Sequence, residues 1–272
     1  LISELSQGLG LDKNDFAKGS FTAPKYRASY IAETLKAQPG KVDARRSPEF
    51  KRLIREMNSY QDNDFEIPEE LKAELREYQK NGFRWLAMLS QWGFGGILAD
   101  DMGLGKTLQV ITLLEMKKEG ALIVCPASLV YNWESELGRF APDLSVTVAV
   151  GSSQQREEII KSASGSDILV TSYDLLKRDA ELYKGRTVPY MIIDEAQYIK
   201  NAGTQTAKAV KQVQAVHRLA LTGTPIENRL SDLWSIFDFI MPGYLYSYKK
   251  FREELEQPIV QNEDKNVMER LK

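Results

Sequence analysis

A chain of 272 residues is long enough for one large domain or two small ones. Its hydrophobic fraction of 43% and charged fraction of 27% exclude disordered and fibrous classes. A net charge of −2 gives no global basic signal for nucleic acid, and leaves open a local basic groove, which depends on where charges sit. Cys125 is the only cysteine, so neither a disulfide framework nor a zinc cluster is expected, and a reduced cytoplasmic setting fits. No apolar run approaches the ~18 residues of a membrane span. The chain opens on Leu1 with no signal-peptide pattern, so a piece of something longer is expected.

Residues 1–66 read as a helix-rich, charged segment punctuated by "TAPKYRASY", "AQPGK" and "RRSPEF". In "FKRLIREMNSY", Phe50, Leu53, Ile54 and Met57 recur at helical spacing, which predicts an amphipathic helix. Its basic side (Arg45, Arg46, Lys51, Arg52, Arg55) could touch nucleic acid, but a solvated helix face is the simpler reading. "DNDFEIPEE" reads as a linker, with acidic residues and Pro68 before the next helix.

From residue 67 to about 240 the pattern changes. The short apolar runs "GGILAD", "ALIVCP", "SVTVAV", "DILVTSY", "YMIIDE" and "HRLALTG" alternate with helical stretches such as "KTLQVITLLEMKKEG" and "TQTAKAVKQVQAV". That alternation predicts an α/β fold with a mainly parallel sheet covered on both faces. Ligands of such sheets bind beyond the carboxyl ends of the strands, where the polar motifs of this chain fall.

The first of these motifs is "LADDMGLGKT". A strand, then Gly103-Leu104-Gly105-Lys106-Thr107, then a helix suits phosphate capture: glycines let N–H groups close on oxygens, and the helix start adds positive charge. Lys106 would reach the β- and γ-phosphates of ATP, and the Thr107 hydroxyl would ligate Mg2+. Asp100 stands where the usual phosphate-loop pattern has its first glycine, and a structural turn is the alternative reading. "MIIDEAQYIKN" weakens that alternative, because an apolar strand ending in Asp194-Glu195 supplies what a nucleotide hydrolase needs opposite its loop. Asp194 would hold magnesium through water and Glu195 would polarise the attacking water; capping of the following helix is the other use for such a pair. The order of the two motifs fits a RecA-like three-layer α/β/α lobe of the phosphate-loop NTPase class.

Residues 71–260 then resemble the Swi/Snf-type ATPases, the chromatin-remodeller-like branch of helicase superfamily two. "LREYQKNGFRWL" is similar to the family's adenine-side motif, with Gln79 as base reader. "LADDMGLGKTLQ" is similar to its phosphate loop, in which an acidic pair before the Met is usual; Asp101, Met102, Gly103, Leu104, Gly105, Lys106, Thr107 and Leu108 are the implied nucleotide contacts. "IVCPASLVYNW" resembles motif Ia, "VTSYDLL" the next strand-end motif, and "DEAQYIKN" motif II. "LALTGTPIENRLSDLWSIFDFIMPG" resembles motif III with its extension and is the most specific of these strings.

The resemblance implies that Thr222, Gly223 and Thr224 couple nucleotide state to lobe closure. It implies that Pro126, Ala127, Ser128, Thr171, Ser172 and Tyr173 face one strand of double-stranded DNA, contacting phosphates without reading sequence, with Lys200 and Asn201 extending that surface. Capping is the other reading for Ser128 and Thr171. "YKKFREELEQPIV", within 241–272, resembles the start of the family's helical protrusion. "APKYRASYI" and "EFKRLIREM" resemble the segment preceding the ATPase in bacterial members, implying a bacterial, nucleoid-associated protein. Nothing in the chain matches motifs IV to VI, so the second RecA-like lobe and its arginine finger are expected outside it.

His217 is expected to be structural, Cys125 a buried small apolar residue, and Trp85, Trp92, Trp133 and Trp234 core residues rather than base-stacking platforms. The functional expectation is the ATP-binding lobe of a duplex-DNA translocase. A strand-separating or restriction-type motor is the alternative, as is a binding module that turns over nothing alone.

Overall fold

The computed structural model of the protein describes residues 25–36, 46–59, 65–225, 229–262, 267–268 and 271. Expectations placed on 1–24, on "AQPGK", on Arg45, on residues 62–64 of the linker and on residues 226–228 of motif III lie outside the described residues. The chain divides into two compact units, Leu1–Asp64 and Phe65–Lys272.

In the first unit, a 3-10 turn (Lys25–Arg27) leads into helix α1 (Ala28–Lys36), and α2 spans Pro48–Ser59. Ser47 starts α2 by accepting a hydrogen bond from the Phe50 N–H at 3.1 Å, as an N-cap does. Phe50, Leu53, Ile54 and Met57 are half-buried, whereas Lys51, Arg52 and Arg55 are exposed, so the helix is amphipathic and its basic side solvated.

The second unit is built on six parallel strands: β1 (Gly96–Leu98), β2 (Ala121–Cys125), β3 (Val146–Val148), β4 (Ile168–Ser172), β5 (Thr187–Asp194) and β6 (Gln214–Leu221). Their order in the sheet is β1-β6-β5-β2-β4-β3. Between them run α3 (Glu77–Trp92, preceding β1), α4 (Lys106–Lys117), α5 (Val130–Phe140), α6 (Ser153–Ser162), α7 (Tyr173–Asp179) and α8 (Gln205–Gln212). Helix α9 (Leu230–Ile240) follows β6.

Side chains along a strand alternate between faces. Ile123, Val170, Ile192 and Leu219 therefore pack with Phe83, Ile111, Leu114, Trp133 and Leu137 on one side. Leu122, Leu169, Met191, Ile193 and Ala220 pack with Leu176, Val210 and Phe239 on the other. With both faces covered, the central strands read as unbroken apolar runs. The architecture is the expected three-layer RecA-like α/β fold.

One helical expectation is shortened. "TQTAKAVKQVQAV" is helical only over Gln205–Gln212, and its tail forms the start of β6, where Gln214 and Ala215 register with Thr187 and Val188 of β5. Pairing along an existing strand edge overrides the helical period there. Beyond α9, α10 (Tyr248–Phe251) continues through a π-helical turn (Arg252–Glu256) into α11 (Gln257–Asn262). Phe251 and Leu255 bury themselves against Trp234 of α9.

Candidate functional site

All strands run the same way, so Leu98, Cys125, Val148, Ser172, Asp194 and Leu221 end at one edge of the sheet. The phosphate loop, motif Ia, the motif after β4, motif II and motif III all lie at this edge.

The phosphate loop leaves β1 and turns into α4 through Gly103 (φ +82°) and Gly105 (φ +75°), a left-handed conformation that strains any residue with a Cβ. A Cβ at Gly105 would also overlap the Gln79 amide. Helix α4 begins without a side-chain cap and without an acidic residue in its first turn, unlike α6, α7 and α8, which Ser152, Ser172 and Thr204 cap. Its first N–H groups therefore receive no side-chain cap, the arrangement seen where helix starts bind anions. The Lys106 ammonium folds back to donate to the carbonyls of Asp100 (2.7 Å) and Asp101 (3.1 Å). Thr107 and Leu108 are half-buried, and Met102 is exposed.

Asp100, the residue that departs from the usual loop, has a partner of its own. Its carboxylate accepts from Gln109 Nε2 at 2.8 Å, and Gln109 is fully buried against Gly82 of α3, where a Cβ would overlap its Oε1. A glycine at 100 could not make this bond. Gln79 is buried too: its Oε1 accepts from the Arg76 N–H and its Nε2 donates to the Leu104 carbonyl, which also accepts from the Tyr78 hydroxyl at 3.1 Å. The side chain expected to read the base thus also clamps the phosphate loop.

At the tip of β5, Asp194 is 9% exposed. Its Oδ1 accepts from the Glu195 N–H (2.9 Å), its Oδ2 from the indole N–H of Trp133 (2.9 Å), and its carbonyl from the Tyr173 hydroxyl (2.7 Å). Burial pushes the Asp194 carboxyl above its ordinary pKa; the Trp133 and Glu195 N–H groups and the Lys106 ammonium pull the other way, and the Glu195 charge adds to the rise. Burial likewise raises the Cys125 thiol to about 12, with the Asp194 charge adding to it.

Glu195 holds a left-handed φ of +55°, rare for a residue with a side chain and costing roughly 1–3 kcal/mol, the kind of strain that gathers at functional sites. Gln197 Nε2 donates to Glu195 Oε2 at 2.7 Å, while Gln197 Oε1 accepts from the Thr222 hydroxyl at 3.0 Å. The Thr222 oxygen in turn accepts from the Thr224 N–H at 3.0 Å. Gly223 sits against the phosphate loop, where an added Cβ would lie 3.4 Å from Met102 Cγ. Motif III therefore touches both the acidic strand end and the phosphate loop.

The residues expected on the DNA side divide. Ala127 and Ser128 are exposed, and Pro126 half-buried, at a 3-10 turn (Ala127–Leu129) that runs into α5. Thr171, Ser172 and Tyr173 are buried, and their side chains face inward: Thr171 donates to the Ala149 carbonyl, Ser172 caps α7, and Tyr173 bonds Asp194. Lys200 is half-buried, and exposed Asn201 accepts from the Gly203 N–H at 3.0 Å. Exposed Tyr198 stacks on Tyr173, ring centroids 4.9 Å apart. His217 is half-buried and stacks on Tyr190. Trp133 and Trp234 are core residues; Trp85 packs partly buried against the core, and half-buried Trp92 meets Phe94 edge-on.

The loop and strand tip fit a nucleotide with a divalent cation. A free helix start, an ammonium and a hydroxyl occupy one turn, and a buried carboxylate lies within electrostatic reach of that ammonium. Sequence reasoning gave no role to Gln109, Gln197 and the Trp133 N–H. Both glutamines lie inside quoted motifs, bonded to Asp100 and Glu195 of those same motifs, whereas the Gln197–Thr222 and Trp133–Asp194 bonds join segments far apart in sequence.

A parallel sheet with a phosphate loop after its first strand and an acidic pair after its fifth defines a RecA-like nucleotide-binding lobe. The chain belongs to the SNF2 family: the SNF2-related domain matches residues 78–272, and the bacterial SNF2 helicase-associated domain matches residues 1–68. It is 40% identical over 241 residues to the TATA-binding protein-associated factor MOT1 of Saccharomyces cerevisiae, covering 82% of this chain and 13% of that protein. It is 40% identical over 226 residues to the putative ATP-dependent helicase/translocase YwqA of Bacillus subtilis, covering 80% of this chain and 24% of that protein. The solved SWI2/SNF2 ATPase core of Sulfolobus solfataricus in complex with dsDNA matches with a TM-score of 0.68 at 42% identity, covering 76% of this chain and 44% of that one. The chain thus spans a quarter or less of the length of these two curated relatives.

Proposed function

We propose that this chain is the N-terminal ATP-binding lobe of a translocase on double-stranded DNA that hydrolyses ATP to ADP and phosphate in the full-length protein. The observation that carries this reading is the hydrogen-bonded run from Thr224 through Thr222 and Gln197 to Glu195, beside Lys106 and Asp194. It joins the segment after β6 to the carboxylate best placed for hydrolysis.

Bound ATP with Mg2+ supplies an electrophilic phosphoryl group and a cation that neutralises its oxygens. Lys106 and the first N–H groups of α4 bind those oxygens; Thr107 and Asp194 hold the ion. Glu195 orients the attacking water and takes its proton, its carboxylate aimed by Gln197. Gln79 reads the base and holds the loop. Pro126, Ala127, Ser128, Lys200 and Asn201 form the rim toward DNA, while Thr171, Ser172 and Tyr173 shape that rim from beneath. Contacts of this kind are to phosphates, so affinity is indifferent to sequence and log affinity falls by about 0.9 per neutralised phosphate per unit of log salt.

A second lobe outside residues 1–272 completes the site, in a protein of the bacterial cytoplasm and nucleoid. An arginine finger is worth roughly 10³–10⁵ in rate, or about 4–7 kcal/mol of barrier. This lobe alone is therefore expected to show little DNA-stimulated ATPase activity. The test compares ATPase rates of residues 1–272 and of the full-length protein, with and without duplex DNA. Near-equal stimulated rates would overturn the division of labour between lobes, and strand displacement by the full-length protein would favour a separating motor instead.

A further inference from the structure

Trp133 is the largest side chain buried in the core layer beneath the nucleotide edge, and it is 1% exposed. An indole carries one polar atom, and when buried it needs an acceptor. Core tryptophans can satisfy that need with a backbone carbonyl. Here the N–H is aimed at a buried carboxylate, Asp194 Oδ2, 2.9 Å away and 61 residues along the chain.

The other carboxylate oxygen accepts from the Glu195 N–H. Two donors, one on each oxygen, fix the rotation of the carboxyl group about its last bond. Without the indole, only the N–H of the next residue would hold it, and that residue is itself in a left-handed conformation. We propose that Trp133 is a positioning residue of the magnesium site: its indole N–H holds the Asp194 carboxylate in the orientation that receives the cation. The inference rests on the ATP-site reading above and adds to it a residue that no phosphate-loop or acidic-strand motif contains. It also places the metal site one side chain away from the rim turn Ala127–Leu129, since Trp133 lies in the first turn of the helix that turn begins.

Partners that orient a metal's ligand commonly change metal affinity by 10- to 100-fold when removed. The experiment uses the full-length protein and a non-hydrolysable fluorescent ATP analogue, titrated with Mg2+ and measured again in excess chelator. Two variants are compared with the wild type: Trp133→Phe, and the isosteric replacement of Trp133 by β-(3-benzothienyl)alanine, which keeps the ring shape and removes the N–H. The Mg2+ concentration at half-maximal binding should rise about tenfold in both, while metal-free binding stays as in the wild type. If the Phe variant misfolds, the isosteric one decides. An unchanged Mg2+ midpoint overturns the inference, and so does an equal loss of binding with and without metal, which would make Trp133 a packing residue only. Lys106→Ala, run in parallel, separates the two readings. If Lys106→Ala binds nucleotide normally, the ATP site itself is misplaced; if it does not while the Trp133 variants match wild type, only the positioning role fails.

Discussion

In the phosphate loop, polar groups are exposed or half-buried and bonded within the loop or to α3: Lys106 to the carbonyls of Asp100 and Asp101, and the Leu104 carbonyl to Tyr78 and Gln79. At the tip of β5 the arrangement is reversed. Asp194 is buried and held from three directions by Glu195, Trp133 and Tyr173, which come from two other segments of the fold as well as its own. The loop is a cradle whose contacts can be exchanged for a ligand's; the strand tip is set before a ligand arrives. Substitutions in the loop should therefore remove binding and spare the fold, whereas those at the tip should separate into chemistry and stability according to the atom removed.

Lys106→Ala is the largest test of that contrast. It should abolish nucleotide binding and turnover together in the full-length protein while thermal unfolding stays near wild type, because only two exchangeable bonds to loop carbonyls are lost. A folded variant with an unchanged ATPase rate would remove the site assignment. Glu195→Gln comes next. Loss of a positioned base costs roughly 10²–10⁴ in rate, so ATP with Mg2+ should still bind but turn over very slowly. Asp194→Asn should instead weaken the Mg2+ dependence of binding, and identical binding curves for these two variants would refute the division of roles. Smaller still is Gln197→Ala. Losing a hydrogen bond to a charged group costs about 1.5–3 kcal/mol, which corresponds to roughly tenfold or more in rate, with nucleotide affinity retained. A drop in affinity instead would place Gln197 in binding rather than in aiming Glu195.

The same contrast explains what could be read from the sequence. The cradle is local: glycines, lysine and threonine lie within a few residues of one another, so spacing alone carries its chemistry. Six apolar runs bounded by polar turns were enough to place six strands, because both faces of a parallel sheet are buried. The brace of the strand tip is not local. Trp133 to Asp194 joins a helix to a strand tip and Gln197 to Thr222 joins the segments after two neighbouring strands, and the periodicity of neither segment records them. Thr171, Ser172 and Tyr173, which the family resemblance sets toward DNA, close β4 and open α7 with side chains turned inward, through bonds that their own segment does not record. The start of β6 was hidden because Gln214 and Ala215 extend a helical pattern and become strand only through pairing with β5.

The smallest predicted effect separates stability from chemistry within the strand tip. Tyr173→Phe removes one hydroxyl, which donates to the Asp194 main-chain carbonyl rather than to its carboxylate. Tyr173 is 4% exposed, and burial raises its phenol well above the usual range, with the Asp194 charge adding to the rise, so the donor form is present throughout the working pH range. Its ring is stacked on Tyr198 with planes only 4° apart, and Phe keeps that stack. What is lost is one buried donor to a carbonyl, worth about 1–3 kcal/mol. For a unit of this size that corresponds to a fall in Tm of roughly 2–12 °C. The carboxylate, still held by Glu195 and Trp133, should keep its orientation, so the Mg2+ midpoint of nucleotide binding should not move. Thermal unfolding and Mg2+ titration of the same preparation check both halves. A shifted midpoint with unchanged Tm would mean that the Tyr173 hydroxyl serves the cation site, and that the tip cannot be divided into a stabilising carbonyl side and a chemical carboxylate side.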